Sequence, residues 1–268
     1  MRTYILDKAF KNNTVYTMEA DKALIIRKIG TTDTGDVTIK IDGAECGVIT
    51  KTIAPTPRVY DLDLPLLDLG ELYLVVPPDK KLKFEGTSSS YYTRVKGSII
   101  DLAPGEALPA VHVTRFNEQP YHYKTYVKGS YATAGTWTAG TEITLYSLTP
   151  KTSEKYVFNG YVGIEWTITA TALAHGIAGI IFYLNGKPLD NLASGMAPLG
   201  IDAMSMYHPP TYNKNKEPFY LTKYPIEVPG DIPLKITAIN NSGSDITIGS
   251  GEKVAIYLIA EYQKIVKS

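Results

Sequence analysis

Val76-Pro77-Pro78-Asp79-Lys80-Lys81-Leu82-Lys83-Phe84 and Val228-Pro229-Gly230-Asp231-Ile232-Pro233-Leu234-Lys235-Ile236 share one pattern: V-P-x-D-x-x-L-K and an aromatic or aliphatic residue. A strand ends at proline, which cannot donate to a ladder. Asp then reverses the chain, and a new strand starts with alternate apolar residues on one face. Flanking stretches repeat in the same order. Val37-Thr38-Ile39-Lys40-Ile41-Asp42-Gly43 matches Ile180-Ile181-Phe182-Tyr183-Leu184-Asn185-Gly186, and both end in a tight-hairpin signal. Asp21 to Arg27 matches Ser153 to Phe158, and Arg94 to Leu102 matches Lys253 to Glu261. Helix patterning is scarce, and the best stretch, Ala170 to Ile181, carries Gly176 and Gly179 and reads better as a hairpin. The chain is therefore expected to be all-β: two antiparallel β-sandwich domains of one design. The expected boundaries are 1–105 for the first sandwich, 106–120 for a linker and 121–268 for the second. A long insertion near 190–222 is expected to be a contact arm.

Composition narrows the function. The 268 residues carry 27 basic and 27 acidic side chains. A zero balance disfavours a dedicated nucleic-acid binder, which needs cations for phosphates. No apolar run approaches a membrane span, so direct membrane insertion is not expected. The stretch Met1 to Phe10 lacks a signal-peptide core. A single cysteine, Cys46, excludes a disulfide framework within the chain. Tyrosine, at 20 against 6 phenylalanines, suits half-buried sheet faces and wet interfaces.

The order of these segments carries a resemblance. Tyr16-Thr17-Met18, the turn Glu19 to Lys22, Ala23 to Ile29, Val37 to Gly43, Leu72 to Asp79, Leu82-Lys83-Phe84 and Tyr91 to Leu102 resemble small jelly-roll-like modules on the outside of virions. Such modules occur in phage decoration, spike and tail-associated proteins. They also occur in turret and capsid-associated proteins of archaeal icosahedral viruses, where two jelly rolls often stand in tandem. The resemblance implies tandem jelly rolls and a structural subunit of the virion surface, made in the host cytoplasm and acting without turnover. It implies a homo-oligomer, trimer or pentamer, that also meets a capsid or neighbouring virion protein. A host-surface glycan is a further candidate partner. Met1 to Asn13 would tether the subunit.

Site candidates are contact residues. Met196, Met204, Met206, Tyr207, His208 and Tyr212 lie in the expected arm. Tyr121, Tyr123 and Trp137 could stack on a sugar or pack against a neighbour. A carbohydrate-binding module is thus the alternative function, and a sandwich glycosidase a further one. His112, His122, His175 and His208 lack the short spacing of zinc ligands. No metal site, cofactor or catalytic residue is expected. Cys46 reads as a small buried residue. Asp61 and Asp63 share a strand face, expected to be solvated rather than an acid/base or calcium site. Asn12-Asn13-Thr14 and Asn240-Asn241-Ser242 fit the glycosylation acceptor pattern, and both are expected at surface turns.

Overall fold

The computed structural model describes residues 1–51, 66–169, 178–189, 201–202, 219–221 and 225–266. The chain divides into two compact units, Met1–Tyr126 and Val127–Ser268. Unit 1 holds β1 (Arg2–Lys11), β2 (Val15–Thr17), β3 (Lys22–Thr31), β4 (Asp36–Ile41), β5 (Ala44–Thr50), β6 (Leu67–Asp68), β7 (Leu74–Val76), β8 (Lys81–Glu85) and β9 (Tyr92–Asp101). One sheet runs β1-β9-β3-β6, with β7 also on β3; the other runs β2-β8-β4-β5. All of these pairs are antiparallel. α1 (Ala110–Glu118) follows, and β10 (His122–Tyr131) leads into unit 2.

Unit 2 continues with β11 (Gly135–Trp137), β12 (Glu142–Leu148), β13 (Glu154–Trp166), β14 (Ala178–Leu184), β15 (Lys187–Pro188), β16 (Ile201–Asp202), β17 (Phe219–Tyr220), β18 (Ile226–Val228), β19 (Leu234–Asn240), β20 (Ile246–Ile248) and β21 (Val254–Lys264). Its sheets run β10-β21-β13-β17, with β18 also on β13, and β12-β19-β14-β15, with β16 also on β14. β11 and β20 form a two-stranded ribbon. Strand for strand, the pairings of unit 1 recur.

The repeat reaches individual turns. Asp79 and Asp231 both adopt a left-handed backbone, φ 61° and 64°. Lys80 and Ile232 close those turns by donating N–H to Pro77 and Pro229. Asp tolerates this region better than β-branched residues do. Asp42 and Asn185, both at φ 51°, head the two hairpins, and each N–H bonds the facing strand, at Lys81 O and Pro233 O. Leu24 pairs with Val76 as Tyr156 pairs with Val228. One match needs a correction. Thr93 and Val254 occupy equivalent ladder positions, opposite Thr31 and Trp166, and Ile99 and Tyr262 do so opposite Leu24 and Tyr156, so the β9/β21 match is offset from the sequence alignment by two residues at one end and, past the bulge in β13, by four at the other. An even-numbered shift keeps every side chain on its face, which hides it from pattern reading.

Alternation builds the interior of unit 1. Val37, Ile39 and Ile41 of β4 are buried, opposite Ile49, Phe84 and Leu82, also buried. Unit 2 packs Phe158, Val162, Ile164, Phe182, Leu234, Ile236, Ile256 and Leu258 into one cluster. α1 covers part of the outer face of the β1 sheet. There Leu102, Leu108 and Phe116 pack on Ala23, Ile25, Tyr73, Val75 and Ile100. The stretch expected as a linker at 106–120 is thus part of unit 1, which extends to Tyr126. Pro109 opens the helix, and apolar residues too sparse for a full stripe hide it in the sequence. Met1 to Asn13, expected as a tether, is mostly β1, laddered to β9 at ten positions. Within 121–148, β10 joins β21 while β12 joins β19.

Candidate functional site

The two edges of the β1 sheet are finished differently. At the β7 edge, Gln119 takes the place of a strand. The Val75 N–H donates to Gln119 Oε1 at 2.9 Å, and Gln119 Nε2 donates to Val75 O at 3.0 Å. Buried Arg115 donates to Tyr73 O at 2.7 Å, Leu72 O at 3.4 Å and His122 O at 2.8 Å. Main-chain groups that would otherwise invite another strand are therefore satisfied. Tyr73 completes the clamp: its hydroxyl lies 3.2 Å from His112 Nδ1, and Arg27 sits 4.9 Å from its ring centre. Burial and the nearby Arg27 charge hold His112 below its ordinary pKa.

The β1 edge is open. Asn12 N–H donates to Tyr91 O, so even-numbered β1 residues bond β9. Odd-numbered residues then direct N–H and C=O away from the sheet. Lys11 N–H meets Tyr16 Oη at 2.7 Å. No described strand pairs with the outward side at Thr3, Ile5, Asp7 and Ala9. Ile5 is 97% exposed, and Met1, Tyr4, Val15 and Tyr92 are exposed as well. Asp7 is held by Arg94 through two bonds, at 2.7 and 2.8 Å, and lies 3.4 Å from Lys96.

Tyrosine hydroxyls serve carboxylates throughout. Tyr123 donates to Glu45 at 2.9 Å, Tyr183 to Glu142 at 2.7 Å, Tyr257 to Glu165 at 2.5 Å and Tyr262 to Glu154 at 3.3 Å; Tyr126 donates to Asp36. Burial, then Glu142, push the Tyr183 hydroxyl up to about 12. Burial would raise Glu165, but the Tyr257 bond and Lys253 outweigh it and hold the carboxyl low. These acids are occupied structural acceptors.

Of the contact candidates, Tyr121 is exposed. Tyr123 is buried with its hydroxyl on Glu45. Trp137, 2% exposed, belongs to the unit 2 core, and its Nε1 donates to Thr141 O at 3.0 Å. Met196, Met204, Met206, Tyr207, His208 and Tyr212 lie outside the described residues, as do Asp61, Asp63 and His175. The acceptor-pattern asparagines need correction: both are buried. Asn12 donates to Asp33 and accepts from Thr93 Oγ1. Asn240 donates to Trp137 O and Ser244 O. Only their neighbours reach the surface turn, because each strand end turns its Asn side chain inward, Asn12 to Asp33 and Thr93 and Asn240 to loop carbonyls. Burial pushes the Cys46 thiol up to about 12, so the thiolate needed for nucleophilic attack is suppressed. Among the described residues, no three His, Cys, Asp or Glu side chains gather into a metal-binding group.

The open β1 edge and the Gln119–Arg115 clamp escaped sequence reading. A run of ten residues with exposed apolar side chains signals an edge only once its neighbours are known.

No family model matches the chain, and no curated protein matches it. Among solved structures, a conserved Pseudomonas aeruginosa PAO1 protein of unknown function, PA5104, overlaps at 9% identity, covering 96% of this chain and 79% of that one, with a TM-score of 0.22. BuGH86 in complex with neoagarooctaose overlaps at 11% identity over 96% of this chain and 35% of that one, TM-score 0.22. Infectious bursal disease virus Gt strain overlaps at 11% identity over 100% of this chain and 78% of that one, TM-score 0.18. At scores this low the overlaps carry no argument about this chain's fold or role.

Proposed function

We propose that the protein is a virion-surface structural subunit built from two tandem jelly rolls, working by assembly rather than by turnover. One observation carries the reading: the same two four-strand paths occur in both units. In unit 1 they are β1-β9-β3-β7 and β2-β8-β4-β5. Strands alternate between the two paths except at the β4–β5 hairpin, which stays within one, and this order supports a double Greek key of the jelly-roll kind, an architecture of capsid and lectin domains. Unit 2 follows with β10-β21-β13-β18 and β12-β19-β14-β15. The subunit's expected partners are copies of itself and a capsid or neighbouring virion protein.

The open β1 edge supports assembly, since an unpaired, apolar-bearing edge is what strand addition uses. The carbohydrate-module reading loses support from the burial of Tyr123 and Trp137, whose rings would have to stack on a sugar. Electron microscopy of the purified protein tests the proposal. Closed rings or arrays of one symmetry are expected. Dispersed single subunits that bind on a glycan array would replace it with the lectin reading.

A further inference from the structure

In unit 1, three connections meet at one buried carboxylate. Asp33, in the β3–β4 connection, is 0% exposed. Its Oδ1 accepts from Gly35 N at 3.1 Å and Thr87 Oγ1 at 2.5 Å; its Oδ2 accepts from Asn12 Nδ2 at 2.9 Å and Thr87 N at 3.0 Å. Thr87 belongs to the β8–β9 connection and Asn12 to the β1–β2 connection. The knot is built to fit: a Cβ on Gly86 would stand 2.2 Å from Asp33 Oδ2. Among the described residues no cation pairs with it; four neutral donors do the balancing.

Unit 2 solves the same problem in mirror fashion. Glu252, in the β20–β21 turn, accepts from Thr169 N at 2.8 Å, from Thr169 Oγ1 and from Gly249 N at 2.7 Å. Thr169 follows β13, so the tie again joins the connection after the third main strand to the turn before the last. In each unit a carboxylate takes a threonine's N–H and its hydroxyl, together with a glycine N–H from its own loop. Alongside each tie lies the same threonine clasp. Thr32 N–H and Thr167 N–H donate to Tyr92 O and Lys253 O, whose own N–H groups donate back to the threonine Oγ1 atoms.

We propose that these two carboxylates are acid-released latches holding the loop end of each unit. The ionised form accepts every surrounding donor. A protonated form offers a hydrogen where Asn12, Gly35, Thr87, Thr169 and Gly249 already offer theirs, so bonds are lost and the loops part. Burial raises Asp33, but its donors outweigh burial and hold it below the usual carboxylate range; Thr169, then Gly249, do the same for Glu252. A depressed folded value means the ties contribute fully above the ordinary range, near about pH 4, and fail as pH falls through the depressed value. Among the described residues, none of the atoms bonded to either carboxylate belongs to another titratable group, although such groups lie on the packed elements. Around Asp33 these are Lys11, Asp36, Glu85, Tyr91, Tyr92 and Arg94. Glu85 is kept ionised to about 2 by Lys40 and Lys83. Around Glu252 they are Asp245, which accepts from Ala139 N, and Lys253, which lies 3.0 Å from Glu165.

Hydrogen–deuterium exchange on the full chain at neutral pH tests this, using Asp33→Asn and Glu252→Gln as permanent neutral forms. Asp33→Asn is expected to speed exchange about tenfold or more in the loops around Thr32–Gly35 and Gly86–Tyr91. Unit 2 should be unaffected. Glu252→Gln is expected to do the reverse, around Thr167–Thr169 and Gly249–Lys253. Wild type taken downward from about pH 4, corrected for intrinsic rate, should show both patterns emerge as the pH falls. Unchanged protection in either variant at its own loops would overturn the proposal, as would acid exchange confined to other segments. Should Asp33→Asn unfold unit 1, Thr87→Val removes only one donor, and unaltered loop protection there counts against the latch.

Discussion

At the residue scale, unusual side chains are explained by what they satisfy. Gln119, one of only two glutamines, spends its amide on both main-chain groups of Val75. Gln119→Leu leaves a buried N–H and C=O unmet and is expected to cost about 2–4 kcal/mol, read from a urea midpoint at constant slope. His112 titrates in the opposite sense to an ion-paired histidine. Its folded pKa is lowered, so the unfolded chain binds protons first, and stability falls as pH drops below about 6.5. His112→Phe should flatten the stability profile between about pH 7 and 5; an unchanged slope would show that His112 does not set it. Cys46 is expected to resist alkylation until denaturant is added, followed by intact mass. Sequence reading placed Cys46 in the interior from its residue type alone. It could not place Asn12 or Asn240, because an acceptor pattern is satisfied by three adjacent letters and says nothing about which way a strand end turns its side chain.

At the element scale, periodicity was a good guide wherever one face is buried. β4, β9, β14 and β21 fall where alternating or continuous apolar runs predict them. The V-P-x-D turn was legible because proline and a left-handed Asp are local requirements. α1 was not legible: it buries Arg115 rather than a hydrophobic stripe, and it is defined by the sheet beneath it. Phe116→Ala, which strips α1 of its packing on Ala23 and Val75, is expected to cost about 2–4 kcal/mol in thermal or urea unfolding. Ile5→Lys on β1 makes the contrasting case. The side chain is 97% exposed, so folding stability should stay within about 0.5 kcal/mol, while any assembly through this edge weakens.

At the scale of the whole chain, a duplication accounts for the architecture. Two units with the same strand pairings, the same two aspartate turns and the same threonine clasps follow from one pattern written twice. The order of segments made that visible in the sequence. Which strand edge is left open was not visible, since openness depends on Gln119 and Arg115 reaching across to close the opposite edge. The role proposed above, assembly with copies and neighbours, would use the open β1 edge. Light scattering coupled to gel filtration, across a range of concentrations, measures this most directly. The account predicts a discrete mass at a small integer multiple of 29.4 kDa, reduced by Ile5→Lys. A single 29.4 kDa species at every concentration would contradict self-assembly as the protein's function.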